Sequence, residues 1–152
     1  MPLKLKMKVY RTVIRPVILY GAETWSLRKK EEGLLARTEM RMVRWITGIS
    51  LRERRESEGI RRMAGICGIV DKAREARLRY FGHVKRREED HPVREVMDMA
   101  VTGRRSVGRQ RIRWRDVVRR DMEDLDLRED DAFDRVAWRR KTRAADPNIV
   151  WE

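Results

Sequence analysis

Cys67 is the only cysteine in 152 residues, so no intramolecular disulfide staples the chain and no cysteine cluster is at hand for zinc. A reducing compartment fits. Histidine is almost as scarce. His83 and His91 make with Cys67 only a loose set of three potential ligands, without CxxC or HxxxH spacing, and surface or partly packed histidines are the simpler expectation. Long apolar runs are missing too. In the N-terminal MPLKLKMKVYRTVIRPVILYG, Arg11, Arg15 and Pro16 interrupt the hydrophobic pattern. Its longest apolar piece, Val17 to Tyr20, is far too short for a signal-peptide core or a membrane span. The expectation is a soluble intracellular protein, nuclear or cytoplasmic, that is not secreted and has no membrane partner.

Catalytic signatures are absent as well. There is no phosphate-binding P-loop signature, and no Ser-His-Asp or Cys-His arrangement suggests itself. The paired carboxylates Glu31-Glu32, Glu89-Asp90 and Asp130-Asp131 sit among other charges at helix ends. Two-metal catalysis needs carboxylates aimed so that the ions lie about 4 Å apart, usually from an apolar framework that these pairs lack. The chain is therefore expected to be no enzyme, with no metal site and no cofactor.

Positive charge is what the chain has in excess. Lys and Arg total 38 against 25 Asp and Glu, a net charge of +13, and charged residues make up 41% of the chain where about 25% is ordinary. Arginine predominates, and its planar fork grips phosphate in two places, whereas lysine acts as a point charge. That balance is an electrostatic footprint of nucleic-acid binding. Apolar residues still reach 41%, enough for a modest core.

The charge is unevenly placed. Residues 103–115 read GRRSVGRQRIRWR, and residues 103–120 hold eight arginines against Asp116. Residues 121–134 hold eight acids against Arg128. Acid at a helix C-terminus opposes the helix dipole. Ion pairs to the last helix, through Arg135, Arg139, Arg140, Lys141 and Arg143, are a natural use for this acidic run. The arginine-rich stretch precedes a helix start, whose free N–H groups also favour phosphate. Arg104, Arg105, Arg109, Arg111, Arg113 and Arg115 are thus the first candidate phosphate contacts. Arg77, Arg79, Lys85, Arg86 and Arg87 form a second candidate strip.

Periodicity points to helices throughout. Val9, Tyr10, Val13, Ile14, Val17 and Ile18 predict a first helix over 3–20, kinked or ended near Pro16. Leu34, Leu35, Thr38, Met42, Trp45 and Ile46 predict a second over 27–47, with Gly48 as its C-cap. Ser50 to Glu53 matches a capping box that starts a shorter helix. A strong helix follows over 71–87, facing inward with Val70, Ala73, Ala76, Tyr80, Phe81 and Val84, although Gly82 inside it costs helix propensity. Pro92 opens a short helix to Met99, and 100–109 read as a loop. Ile112 or Trp114, Val117, Val118, Met122 and Leu125 mark another helix. The last spans 129–145, with Phe133, Val136 and Ala137 inward. Trp25, Trp45, Trp114 and Trp138 are expected to anchor the core, with base stacking as the alternative. No alternating pattern argues for a strand. The fold class is all-α, an irregular array of about six or seven amphipathic helices.

The blocks VYRTVIRPVILYGAETWSL, RLRYFGHVKRREEDHPVREVM, GRRSVGRQRIRWRDVVRRDM and AWRRKTRAADP, in this order, resemble the C-terminal region of RTE-like non-LTR retrotransposon reverse transcriptases. The resemblance covers nearly the whole chain. It implies a thumb-like helical hairpin over 1–50, with Tyr20, Gly21, Glu23 and Trp25 in its YGxExW block, and a basic helical extension over 51–152. It also implies an RNA, DNA or hybrid partner held mainly through phosphates, and a reverse-transcriptase palm against which the thumb packs. The family's catalytic signature, an aromatic followed by x-Asp-Asp, is missing after Tyr10, Tyr20, Tyr80, Phe81 and Phe133 alike. Gly108-Arg109-Gln110 departs from the family's usual Gly-Arg-Pro and leaves nonspecific phosphate contact as the expectation. Met1 falls inside the family's helix, which leads to the expectation of a truncated, non-catalytic remnant. The rival expectation is an orphaned piece with no activity of its own, exposing the apolar stripe Val9, Val13, Val17, Leu34 and Trp45 that a palm would cover.

Overall fold

The structure, a computed structural model, describes residues 1–99, 108 and 112–147. Among these residues every regular element is helical and none is a strand, as the periodicity predicts. The elements are α1 (Leu3–Val9), a π turn (Tyr10–Ile14), α2 (Arg15–Ile18), α3 (Lys29–Thr47), α4 (Ser57–Ala64), α5 (Ile69–Lys85), α6 (Pro92–Asp98), α7 (Trp114–Glu123) and α8 (Arg135–Lys141), with short 3-10 turns between some of them. Two compact units divide the chain. One holds Met1–Ala22, Leu27–Ala73 and the tail from Ala144, and the other holds Glu23–Ser26 and Arg74–Arg143. The division between the two units falls within α5.

In the first unit, α3 packs against α1 and α4. Its core is Met7, Tyr10, Met40, Val43, Ile46, Ile49, Ile60, Ala64 and Ile66, with Leu3, Ile14 and Met42 against it. Full burial of one such aliphatic side chain contributes ~1.5–3 kcal/mol. The inward face of the first helix is therefore Leu3, Met7, Tyr10 and Ile14, while Val9, Val13 and Val17 point outward. Pro16 explains part of this difference. It cannot donate a hydrogen bond and its ring would crowd the carbonyl four residues back. The preceding turn widens instead, so that the Arg15 N–H reaches the Tyr10 carbonyl five residues back. A constant 3.6-residue period cannot be projected through such a turn.

Gly48 and Gly65 end α3 and α4 in the left-handed conformation, at φ 74° and 65°. Glu53 accepts from the Ser50 N–H at 2.8 Å, but that capping motif closes only a 3-10 turn, and α4 begins later at Ser57. The buried Glu39 carboxylate ties the unit together. It accepts from the Tyr10 hydroxyl at 2.9 Å, the Ile69 N–H at 3.0 Å and Arg61 Nε at 3.4 Å. Such a group is tolerable in a core only when its acceptor sites are filled.

In the second unit, Leu78, Phe81, Val118, Met122, Leu127, Ala132 and Trp138 form the core, with Met97, Trp114 and Leu125 against it. The expected helix over 129–145 is broken in two. A 3-10 turn (Glu129–Phe133) ends at Asp134, whose carboxylate accepts the N–H groups of Val136 and Ala137, both at 3.0 Å, and starts α8 afresh. The restart changes the register. Ala132 and Trp138 are buried, while Phe133 and Val136 are mostly exposed, which corrects the inward face expected from the sequence.

A candidate nucleic-acid interface

On α5, Arg79, His83, Arg86 and Arg87 recur at spacings of four, three and one, which places them along one side of the helix. On α8, Arg135 and Arg139 are one turn apart. Trp138 lies between the two sets, buried against α5, with its indole Nε1 donating to the Leu78 carbonyl at 2.8 Å. This approach requires Gly82. A Cβ at that position would stand 2.5 Å from Trp138 Nε1 and 2.8 Å from its Cδ1. Together Arg79, His83, Arg86, Arg87, Arg135, Trp138 and Arg139 line a groove of about 560 Å³ with five guanidinium groups and no carboxylate in its wall.

Little anionic charge answers these cations. Arg79 pairs with Glu75 at 3.1 Å, across one helical turn. Arg86 Nη1 donates to the Ala132 carbonyl at 2.5 Å, and Arg87 Nη2 lies 3.0 Å from His83 Nε2. Arg135 and Arg139 make no ion pair among the described residues. Desolvation, and then the charges of Arg135 and Arg139, lower the Arg86 pKa from its ordinary value. Crowded cations facing one concavity are stabilised by an anion that enters it.

The acidic run does not neutralise the last helix as the sequence suggested. Only Lys141 pairs with it among the described residues, with Asp131 at 3.7 Å. Asp121 is buried with Arg77, Glu129 pairs with Lys85 and Arg115, and Asp131 and Asp134 accept backbone N–H groups. Those four acids are engaged in these contacts, and Arg135 and Arg139 line the groove with the arginines of α5.

The eleven expected contacts separate accordingly. Arg79, Arg86 and Arg87 come together in the groove. Arg77 does not: its side chain is 1% exposed and clasps Asp121, so it holds the core and offers nothing to a phosphate. Lys85 pairs with Asp98 and Glu129, both at 3.4 Å. Arg115 donates to the Met97 carbonyl at 2.9 Å and faces Asp98 and Glu129 at 3.5 Å. Arg113 is exposed just before α7, where its N–H donates to Asp116 at 3.1 Å. Arg104, Arg105, Arg109 and Arg111 lie outside the described residues. Sequence reasoning missed Arg135 and Arg139 as site residues, because it assigned them to the acids. The legible signal was Arg-x-x-x-Arg around a tryptophan, behind an Asp that caps.

No helix among the described residues is long and apolar enough to cross a membrane. No family model matches the chain, and no solved structure matches it. A Caenorhabditis elegans protein described as transposon-derived and uncharacterized, F52C9.6, is 26% identical over 128 residues, covering 81% of this chain and 46% of that protein. The chain spans about half the length of this relative. The similarity agrees with the transposon-related origin that the sequence blocks imply.

Proposed function

We propose that this chain is a non-catalytic nucleic-acid-binding part of a protein derived from a retrotransposon reverse transcriptase, and that it holds the sugar–phosphate backbone. The observation that carries the reading is the α5–α8 groove, with five arginines and no acid in its lining. At 1.5 Å per residue, Arg79 to Arg86 spans about 10.5 Å of helix. That is roughly three phosphates of one strand, at about 3.4 Å of duplex axis each. The arginine-rich stretch around Arg104, Arg105, Arg109 and Arg111 adds charge nearby in sequence.

The test is a fluorescence-anisotropy titration with single-stranded RNA, duplex DNA and an RNA–DNA hybrid at several salt concentrations. Arg135 and Arg139 are exposed and outside the core, so R135Q/R139Q leaves the fold intact. On B-DNA each lost phosphate contact lowers the salt slope by roughly 0.9, so the double variant lowers it by about 1.8. An unchanged slope sinks the groove as the interface.

A second reading has one specific observation in its favour. In the first unit Val9, Val13, Val17 and Tyr20 are 39%, 56%, 71% and 87% exposed, a run of uncovered apolar side chains. A docking role against a reverse-transcriptase palm would cover it. Weak binding at low salt, indifferent to R135Q/R139Q and to alanine at Arg104, Arg105, Arg109 and Arg111, favours this reading over the first.

A further inference from the structure

Trp45 is 85% exposed, against the expectation that it anchors the core. It stands on the outer side of α3, where Lys30, Leu34, Arg37, Thr38, Arg41 and Trp45 follow one another at spacings of three, four or one. Thr38, Arg41, Met42 and Trp45 line a slot of about 410 Å³ in the first unit. Met42 packs into the core beneath and gives the slot an apolar base. The three carboxylates of α3 are all engaged elsewhere. Glu31 accepts from the Arg28 N–H, Glu32 is buried beside Lys29, and Glu39 is buried in its own network. Arg37 and Arg41 make no ion pair among the described residues.

We infer that Trp45 and Arg41 form a binding slot for an unpaired nucleobase, which stacks on the indole while Arg37 and Arg41 meet its phosphates. An indole face beside acid-free cations fits a ligand that has a flat aromatic face and a negative charge together. A nucleotide in a single strand has both, whereas a duplex keeps its bases stacked on one another. Charge complementarity also selects against a second copy of this chain. A two-fold contact sets the same patch on both copies, and here that brings one cationic, acid-free patch against another. The inference rests on the nucleic-acid reading for the class of ligand, but it concerns a different face in the other unit.

The test uses the full chain with a fluorescent decathymidylate and a blunt DNA duplex, across a salt series. W45A weakens the single-strand complex roughly 5- to 150-fold and leaves duplex binding within about twofold. W45F keeps a stacking face and most of the affinity. R41Q lowers the single-strand salt slope by roughly 0.7. Circular dichroism checks that the variants stay helical. Wild-type single-strand affinity in W45A, or an equal loss on both probes, overturns the slot. So does a change of sedimentation behaviour in W45A without a change in binding, which would mark a protein contact. R135Q/R139Q, run alongside, separates the two proposals: a flat groove variant with a sensitive W45A leaves this inference standing and removes the groove.

Discussion

Arg77 and Asp121, 44 residues apart in the chain, clasp each other inside the second unit through two hydrogen bonds, Nε to Oδ2 at 2.7 Å and Nη2 to Oδ1 at 3.1 Å. Their side chains are 1% and 3% exposed. The pair joins α5 to α7. Among the described residues Arg77 Nη1 has no hydrogen-bond partner, so within them the counter-ion satisfies only part of the guanidinium.

Removing one member leaves a buried, uncompensated charge, which costs about 3–5 kcal/mol. D121A is expected to lower unfolding stability by that amount. The double variant R77M/D121L, with both charges gone, is expected to lose much less than either single change. Urea unfolding of the three variants decides this. A D121A protein as stable as the parent would mean the pair holds nothing together.

Gly82 gives a second test, because two effects of one substitution oppose each other. Alanine raises helix propensity by about 1 kcal/mol. Its Cβ, however, would press into the rigid five-membered ring of Trp138 and stand 3.0 Å from Arg86 Nη1. Overpacking of that kind costs about 1–3 kcal/mol. G82A is expected to melt below the parent and to weaken anion binding as α8 is pushed outward. A raised Tm would mean that α8 does not lie so close to α5.

Glu39 is the corresponding point in the first unit. E39A strands the Tyr10 hydroxyl and the Ile69 N–H and removes an anion that Arg61 faces. A loss of about 2–4 kcal/mol is expected, and E39Q, which keeps one acceptor oxygen, loses less. Equal losses in the two variants would show that the site needs the full carboxylate, since glutamine keeps the volume and one acceptor oxygen.

How far the sequence could be read depends on which information is local. The span of α3, its Gly48 cap and the core positions Val117, Val118 and Met122 follow from spacing alone, since nearby residues decide them. The break at Asp134 was missed because an Asp in an acidic run looks like more charge, and only its backbone contacts reveal a cap. Arg77 was misread for a similar reason. Composition gives its charge but not the Asp121 that neutralises it from another helix. Trp45 and Trp138 show the same limit. Both sit on helices, yet one is exposed and the other buried, and the difference lies in what packs opposite. Arg79, Arg86 and Arg87 were legible as a strip, whereas their partners Arg135 and Arg139 depend on how α8 docks beside α5.

The cluster of Arg15, Cys67 and Asp146 in the first unit yields a prediction about acid. Asp146 accepts from Arg15 Nη1 at 2.9 Å and from the Cys67 N–H at 2.9 Å. Burial alone would raise the carboxyl, but the Cys67 N–H and the Arg15 guanidinium outweigh it and hold the group below its ordinary 3.8. A carboxyl whose folded pKa is depressed contributes stability above its unfolded pKa and loses it as pH falls through the folded value. The stability gap between the parent and D146N is therefore expected to be full at pH 6 and to narrow below about pH 3.8. Urea midpoints between pH 6 and 2 measure it, and a gap that stays constant would mean the ionised form has no special place in the fold. The same site controls the thiol. Burial first, and then Asp146, push the Cys67 thiol up to about 12. Since the thiolate is the reactive form, labelling with a disulfide reagent at pH 8 is expected to be slow in the parent and faster in D146N. Equal rates would separate the thiol from Asp146 and leave burial as the whole cause.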